Sequence, residues 1–318
     1  MTVLSEQSYL RGGLIKMGKE PLVSVVIVNW NRKEDLRECL ESLRNQTYKN
    51  IEIIVVDNCS TDGSIEMIKR DFPEVKLIVM PDSSYGACEC CNIGFANAEG
   101  KYVVILDNDV ILDRNWIRNV VNKFENNEKI GIFASKILNY YTHKISNWHY
   151  PLDQKFAEIE FESTTFIGCA AAIRKKIIDK IGGYPKEFFI YANEQDLAIR
   201  VLDLGYKIVY YPKLVAYHKI PPNHTSRETK RKFFYTLRND IWFYWKYFPI
   251  NYALKKTILR IGYGVRQAIR YRYTVTMIYS LLDCIIGLPR ILRSRKVVKD
   301  KTLEYLLRIE KGEGENVK

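Results

Sequence analysis

The run Leu22-Val23-Ser24-Val25-Val26-Ile27-Val28 constrains this chain more than any other segment. Its apolar positions do not alternate with polar ones, so the strand it predicts is covered on both faces, as strands of a parallel sheet are. Leu36, Cys39, Leu40 and Leu43 follow at helical spacing. The cycle then repeats, with a strand at Ile51 to Val56, a polar segment from Asn58 to Gly63, a short helix to about Phe72 and a strand around Val75 to Val79. Strand and helix in alternation predict an α/β, doubly wound sheet.

Gly86 to Glu99 reads as a loop entering a helix. Tyr102 to Leu106 reads as another buried strand, ending at Asp107-Asn108-Asp109, and Trp116 to Phe124 returns to helical spacing. Between Ile130 and Phe166 neither period dominates. Residues 167–173 read as a strand, Leu197, Ala198, Val201 and Leu202 as a helical face closed by Gly205, and Ile208 to Tyr211 as a strand ending before Pro212. Met1 to Glu20 is polar and reads as a flexible leader. It lacks a continuous apolar segment before Pro21, so no signal peptide is expected.

Charge divides the chain. Residues 219–318 hold 22 Lys or Arg against 8 Asp or Glu, whereas residues 1–218 hold 27 against 29. The formal charge of +12 therefore belongs to the tail, and a near-neutral body is expected at 21–218 with a basic, aromatic-rich helical extension at 219–318. In the extension Phe233, Phe234, Leu237, Ile241, Trp242 and Trp245 recur at three and four residues up to Pro249, and helical pattern continues to about Arg293. Tyr273 to Leu288 is apolar but contains Asp283 and is shorter than the ~18–20 residues of a membrane span, which predicts an interfacial or buried segment. The extension is expected to meet an anionic membrane surface through its aromatic stripes and the cluster Arg290, Arg293, Arg295 and Lys296. The alternative is that the aromatic helix packs on the body and its charges form a solvated face.

Seven cysteines, several inside apolar runs, do not compose a disulfide framework and favour a reducing compartment. Cys88 and Cys91 form a C-x-x-C without a second pair or a nearby His, so buried thiols are expected there.

In an open α/β sheet, ligands bind beyond the carboxyl ends of the strands. Here those ends read Asn29-Trp30-Asn31, Asp57-Asn58 and Asp107-Asn108-Asp109. Asp107 and Asp109 can reach one hard cation, Mg2+ or Mn2+, which keeps positions open for phosphate oxygens; their alternative role is to cap the following turn. The segment Tyr191-Ala192-Asn193-Glu194-Gln195-Asp196-Leu197 puts two carboxylates at a helix start. Capping is the competing role, especially for Asp196. Glu194, close to Phe188, Phe189 and Tyr191, fits a partly desolvated general base.

Together these pieces resemble the inverting family-2 glycosyltransferases of GT-A fold, particularly the rhamnosyltransferase-like branch. The matching segments are Val25 to Arg32, Val55 to Ser64, Leu106 to Asp109, Gly182-Gly183-Tyr184-Pro185, Asn193 to Leu197 and Leu204-Gly205-Tyr206, in the family's order. The resemblance implies a GT-A-type mixed, mainly parallel sheet flanked by helices over 21–218. It implies that Val28, Trp30 and Asn31 line a nucleoside pocket, that Asp57 accepts from the base, and that Asp107 lies near ribose and metal. Asp109 would be the main metal ligand and His218 a second group near the metal or diphosphate, unless His218 is simply satisfied at a strand end. Glu194 stands where the family carries its catalytic Asp, with Asp196 in reserve. Cys88-Glu89-Cys90-Cys91 departs from the family's Gly and Asn loop, so little carries over there beyond Gly86 and Asn92.

The implied activity is transfer of a hexosyl or deoxyhexosyl group from a nucleotide-diphosphate sugar to a glycan or lipid-linked glycan acceptor, at the cytoplasmic face of a membrane. A sugar-phosphate nucleotidyltransferase would need a glycine-rich loop after the first strand, which Asn29-Trp30-Asn31-Arg32 does not supply, and no G-x-G-x-x-G marks a dehydrogenase. A non-catalytic basic membrane- or nucleic-acid-binding protein is the other reading. The joint presence of Asp57, Asp109 and Glu194 disfavours it, and nucleic acid is a disfavoured partner.

Overall fold

Residues 20–221 and 229–310 are described by a computed structural model. The expected leader therefore lies, but for Glu20, outside the described residues. The chain begins with β1 (Val23–Asn29), α1 (Lys33–Arg44), β2 (Ile51–Asp57), α2 (Ser64–Asp71), β3 (Lys76–Val79), α3 (Ala87–Ala96), β4 (Tyr102–Asp107), β5 (Val110–Leu112) and α4 (Trp116–Asn126). It continues through β6 (Ile130–Asn139), β7 (Phe161–Ser163), β8 (Ala170–Arg174), α5 (Lys175–Ile181), α6 (Asn193–Asp203) and β9 (Lys207–His218). Four helices close it: α7 (Lys230–Tyr247), α8 (Ile250–Tyr271), α9 (Thr274–Arg293) and α10 (Asp300–Glu310).

The strands form one mixed sheet in the order β3-β2-β1-β4-β8-β6-β9-β5, with β7 paired to β9. β1 pairs parallel to both β2 and β4, which puts a topological switch point between β1 and β4. Val25 and Ile27 pack on one face of the sheet and Val26 on the other, in two separate cores. That two-sided burial is why β1 reads as a continuous apolar run.

Three expectations need correction. The strand expected to stop at Pro212 continues to His218: the register against β6 jumps from Tyr211 to Val215, so Pro212 falls in a bulge where its missing N–H costs no ladder bond. The ambiguous stretch after Ile130 contains the ten-residue β6. The apolar segment around Tyr273 to Leu288 belongs to a longer helix, the 20-residue α9, in which an 18-residue stretch of mean hydropathy 1.6 makes it long and apolar enough to cross a membrane by length and composition.

The aromatic stripe of the extension packs on the body. Trp242 is 2% exposed in the same core as Phe188, Leu197 and Ala198, and its Nε1 donates to the Cys284 carbonyl on α9. Trp245 donates to Thr257 Oγ1 on α8, and Arg295 donates to the carbonyls of Trp245 and Phe248. These three side chains, expected at a membrane, are committed within the protein. Truncating a side chain as buried as Trp242 costs about 3–5 kcal/mol, so α7 is integral to the fold.

Candidate active site

The ends of β1, β2 and β4 are in register, with Asn29 opposite Asp57 and Val28 opposite Asp107. A buried chain of polar groups ties them together. Asn108 Nδ2 donates to Asn29 Oδ1 (2.7 Å), Asn29 Nδ2 to Asp57 Oδ2 (2.8 Å), and the Ser60 amide to Asp57 Oδ1 (2.7 Å). Asn29 and Asp57 are fully buried. Asp57 thus braces the loop after β2. Asn31, at φ +51°, accepts from the Thr61 amide (2.8 Å), lacing the β1 and β2 loops to each other. Val28 lines the cleft floor, and Trp30 stands 50% exposed between those loops and the solvent.

Asp107, Asp109 and His218 converge, each offering a ligand atom within 4.8 Å of the others. β9 makes this possible: its last residue, His218, pairs with Val110 in β5, the residue after Asp109. His218 Nε2 lies 3.2 Å from Asp109 Oδ1, and Arg32 Nη1 lies 3.7 Å from Asp109 Oδ2. Although desolvation opposes it, contact with Asp109 and Cys169 raises His218 to about 11. The surrounding protein and the Asp109 carboxylate push Asp107 up to about 6. Two carboxylates and an imidazole gathered around one point are a donor set that suits a hard divalent cation with open positions.

Glu194 shares a cleft with Val28, Asp107, Gly168, Tyr184 and Tyr191. Desolvation raises its carboxyl to about 7, with Asp107 adding to the shift. Gly168 precedes β8, beside the end of β4, where the Cys169 carbonyl accepts from the Asp107 amide (3.0 Å). A Cβ on Gly168 would come within 2.3 Å of Glu194 Oε1, so a side chain there would push the carboxylate out of this position. The segment leading to Glu194 is strained, since Phe189, Tyr191 and Ala192 all adopt φ between +58° and +67°.

Asp196, expected as a reserve base, is fully buried and engaged. It meets Arg200 (2.5 Å), Lys246 (3.1 Å) and the Tyr247 hydroxyl (2.7 Å), and so fastens α6 to α7. A carboxylate so enclosed serves to hold the two helices together.

α7 also holds the strained segment, which the sequence reading missed. Asn239 is fully buried, and its Nδ2 donates to the carbonyls of Phe188 (3.0 Å), Ile190 (2.9 Å) and Tyr191 (3.0 Å). Arg238 donates to the carbonyls of Glu187 and Phe188 and pairs with Asp283 of α9. The one signal available was the polar pair Arg238-Asn239 inside an aromatic stripe. Asn239→Ala is expected to lower stability by about 1–3 kcal/mol, because the carbonyls of Ile190 and Tyr191 lose this donor while that of Phe188 keeps Arg238. An unchanged thermal midpoint would contradict that role. All seven cysteines are free, and desolvation pushes Cys88 and Cys91, near the cleft, above the ordinary thiol range.

The profile of glycosyl transferase family 2 matches residues 24–182, and that of the N-terminal domain of galactosyltransferase matches residues 148–224. An uncharacterized glycosyltransferase of Methanocaldococcus jannaschii is 30% identical over 253 residues, which are 72% of this chain and 86% of that protein. YdaM of Bacillus subtilis, named a probable glycosyltransferase, is 28% identical over 64% of this chain and 52% of its own length. Of three of the curated relatives it matches, the chain spans only part of the length, 52%, 57% and 36%. Among solved structures, a Pyrobaculum calidifontis mannosyltransferase in complex with GDP-Man and Mn2+ superposes with a TM-score of 0.57 at 17% identity, covering 92% of this chain and 87% of that one. TarS of S. aureus in complex with UDP-GlcNAc gives 0.61 at 16%, covering 92% and 88%. At such identities these two likenesses concern the fold, which is GT-A-like.

Proposed function

Because the chain belongs to glycosyltransferase family 2, we propose that it is an inverting, metal-dependent transferase of the rhamnosyltransferase-like branch. It moves a hexosyl or deoxyhexosyl group from a nucleotide-diphosphate sugar to a hydroxyl of a glycan or lipid-linked acceptor. The observation that carries this reading is one cleft lined by both the Glu194 carboxyl and Asp107, the latter clustered with Asp109 and His218. Two halves of a displacement site, a base and an anion-neutralising end, are thereby brought together.

Glu194 takes the proton of the acceptor hydroxyl as its oxygen bonds to the anomeric carbon. The bond from that carbon to the phosphate oxygen breaks, and its electron pair leaves on the nucleoside diphosphate. A single displacement inverts the anomeric configuration. Asp107, Asp109 and His218 would hold Mg2+ or Mn2+, which when bound supplies charge neutralisation at the diphosphate. Val28, Trp30 and Asn31 orient the nucleoside at the end of β1. Asp57 acts in this reading by bracing that loop, and α7 acts by holding the segment that aims Glu194. The catalytic unit at 21–218 thus works together with the first helix of the 219–318 extension.

Purified protein screened against a panel of nucleotide sugars should release nucleoside diphosphate with one or a few donors in Mg2+ or Mn2+. The absence of release across the panel, with and without glycan acceptors, would count against the reading. Gly168→Ala should lower turnover by about 10²-fold with donor KM little changed, since displacing a positioned group by about 1 Å has that cost. Wild-type turnover in Gly168→Ala would show that Glu194 need not sit where it does.

A further inference from the structure

The largest unexplained feature lies outside the cleft. Of 21 large hydrophobic residues exposed among the described residues, 15 fall between Ile250 and Leu292, on α8 and α9. Ile250, Leu254, Ile258 and Ile269 form a stripe along one side of α8, and Ile278, Leu282 and Ile286 one along α9. Ile269 and Ile286 are 71% and 76% exposed. The stripes are flanked by exposed bases, among them Lys255, Arg266, Arg270, Arg290 and Arg293. Between Ile250 and Lys299 there are 11 Lys or Arg and one acid, Asp283, which is already paired with Arg238 at 2.6 Å.

We propose that α8 and α9 dock this protein on an anionic lipid bilayer, lying in its plane with the apolar stripes at the boundary of headgroups and acyl chains. The charge pattern selects this occupant. A second copy would bring two strongly basic faces together, whereas anionic headgroups complement the bases while acyl chains take up the isoleucines.

The same contacts decide between lying on the membrane and crossing it. α9 passes the length and hydropathy test for a span, yet it is tied to α7 throughout. Asp283 pairs with Arg238, Ser280 Oγ donates to the Phe234 carbonyl (2.8 Å), and Trp242 Nε1 donates to the Cys284 carbonyl (3.0 Å). Gly287 lies beneath the Trp242 ring, where a Cβ would come within 2.2 Å of Cζ2. Crossing would strip Arg238 of its carboxylate, detach the helix that steadies the Glu187 to Tyr191 segment, and place Asp283 in hydrocarbon. Docking in plane keeps every one of these contacts. It also brings the bilayer close to that segment, since Tyr279, Leu282 and Ile286 line one groove with Arg238 and Tyr235, and Tyr235 stacks on Phe189 at 5.3 Å.

The inference rests on the surface alone and is read by vesicle binding, so it stands or falls separately from the transferase reading. Full-length protein is incubated with vesicles of phosphatidylcholine, with or without 30% phosphatidylserine, and floated on a density gradient. The expected result is about tenfold or more recovery with the anionic vesicles, falling in high salt and released by alkaline carbonate. The double variant Ile269→Asp/Ile286→Asp should remain unbound while keeping the wild-type circular dichroism spectrum and soluble-donor turnover. Equal failure to float with both vesicle types would overturn docking, as would stronger binding to RNA or DNA than to vesicles. Self-association abolished by the double variant, without vesicle binding, would assign the face to a second copy. Resistance to carbonate would overturn the in-plane arrangement.

Discussion

Glu194→Gln is expected to lower turnover by about 10² or more while leaving donor affinity within a few fold, because the amide keeps the size of the side chain and removes its basicity. The pH profile provides a second reading of the same residue. Desolvation raises the Glu194 carboxyl to about 7. A base must be deprotonated, so kcat/KM in the wild type should climb as pH rises toward about 7 and level off above it. Glu194→Gln should lose that limb. The fold should not suffer, because a carboxyl raised above its unfolded value loses stability as pH rises through that interval, and the amide removes the loss. Reduced activity with an undiminished thermal midpoint therefore separates a catalytic role from a structural one. Asp196→Asn should do the reverse. It leaves Arg200 and Lys246 around a buried neutral group and should cost about 3–5 kcal/mol of stability. If Asp196→Asn instead lost turnover with stability intact, the base would be misassigned.

Asp109→Ala is expected to reduce transfer by about 10³-fold or more and to weaken nucleotide-sugar binding in Mg2+ or Mn2+, because metal-assisted neutralisation of a leaving group is worth several kcal/mol. EDTA should abolish activity in the wild type, and added Mn2+ or Mg2+ should restore it. His218→Ala should weaken metal affinity less, since Asp107 and Asp109 remain. Undiminished turnover in excess chelator would remove the metal from the reaction and leave Asp109 with its ion pairs to Arg32 and His218.

The two halves of the cleft were unequally legible. Asp107 and Asp109 stood out because they end a strand that is apolar for its whole length, and a carboxylate there contradicts its surroundings. Glu194 was legible from its place at a helix start, but Asp196, two residues on, offers the same local signal. The structure separates them by what each meets: Glu194 faces the cleft over Gly168, and Asp196 is closed in by Arg200, Lys246 and Tyr247. His218 could be named from sequence, yet its approach to Asp109 depends on β9 continuing past Pro212 through a bulge, which local propensity argues against. Trp242 and Trp245 were misread as membrane contacts because an aromatic stripe looks the same whether it covers a core or a bilayer.

What the sequence determined by itself is the central parallel sheet, the three polar strand ends and the charge asymmetry of the chain. Each of these is written locally, since burial on two faces imposes an unbroken apolar run and the strand's end imposes the place where polarity returns. Only the tertiary structure decided that Asp57 braces a loop, that Asn239 holds the carbonyls before Glu194, and that the isoleucines of α8 and α9, rather than the tryptophans of α7, face outward. Periodicity records that one face of an element is apolar. Which partner covers that face, and which distant polar group satisfies a buried one, depends on packing between residues 49 and 51 positions apart, where spacing along the chain carries no signal.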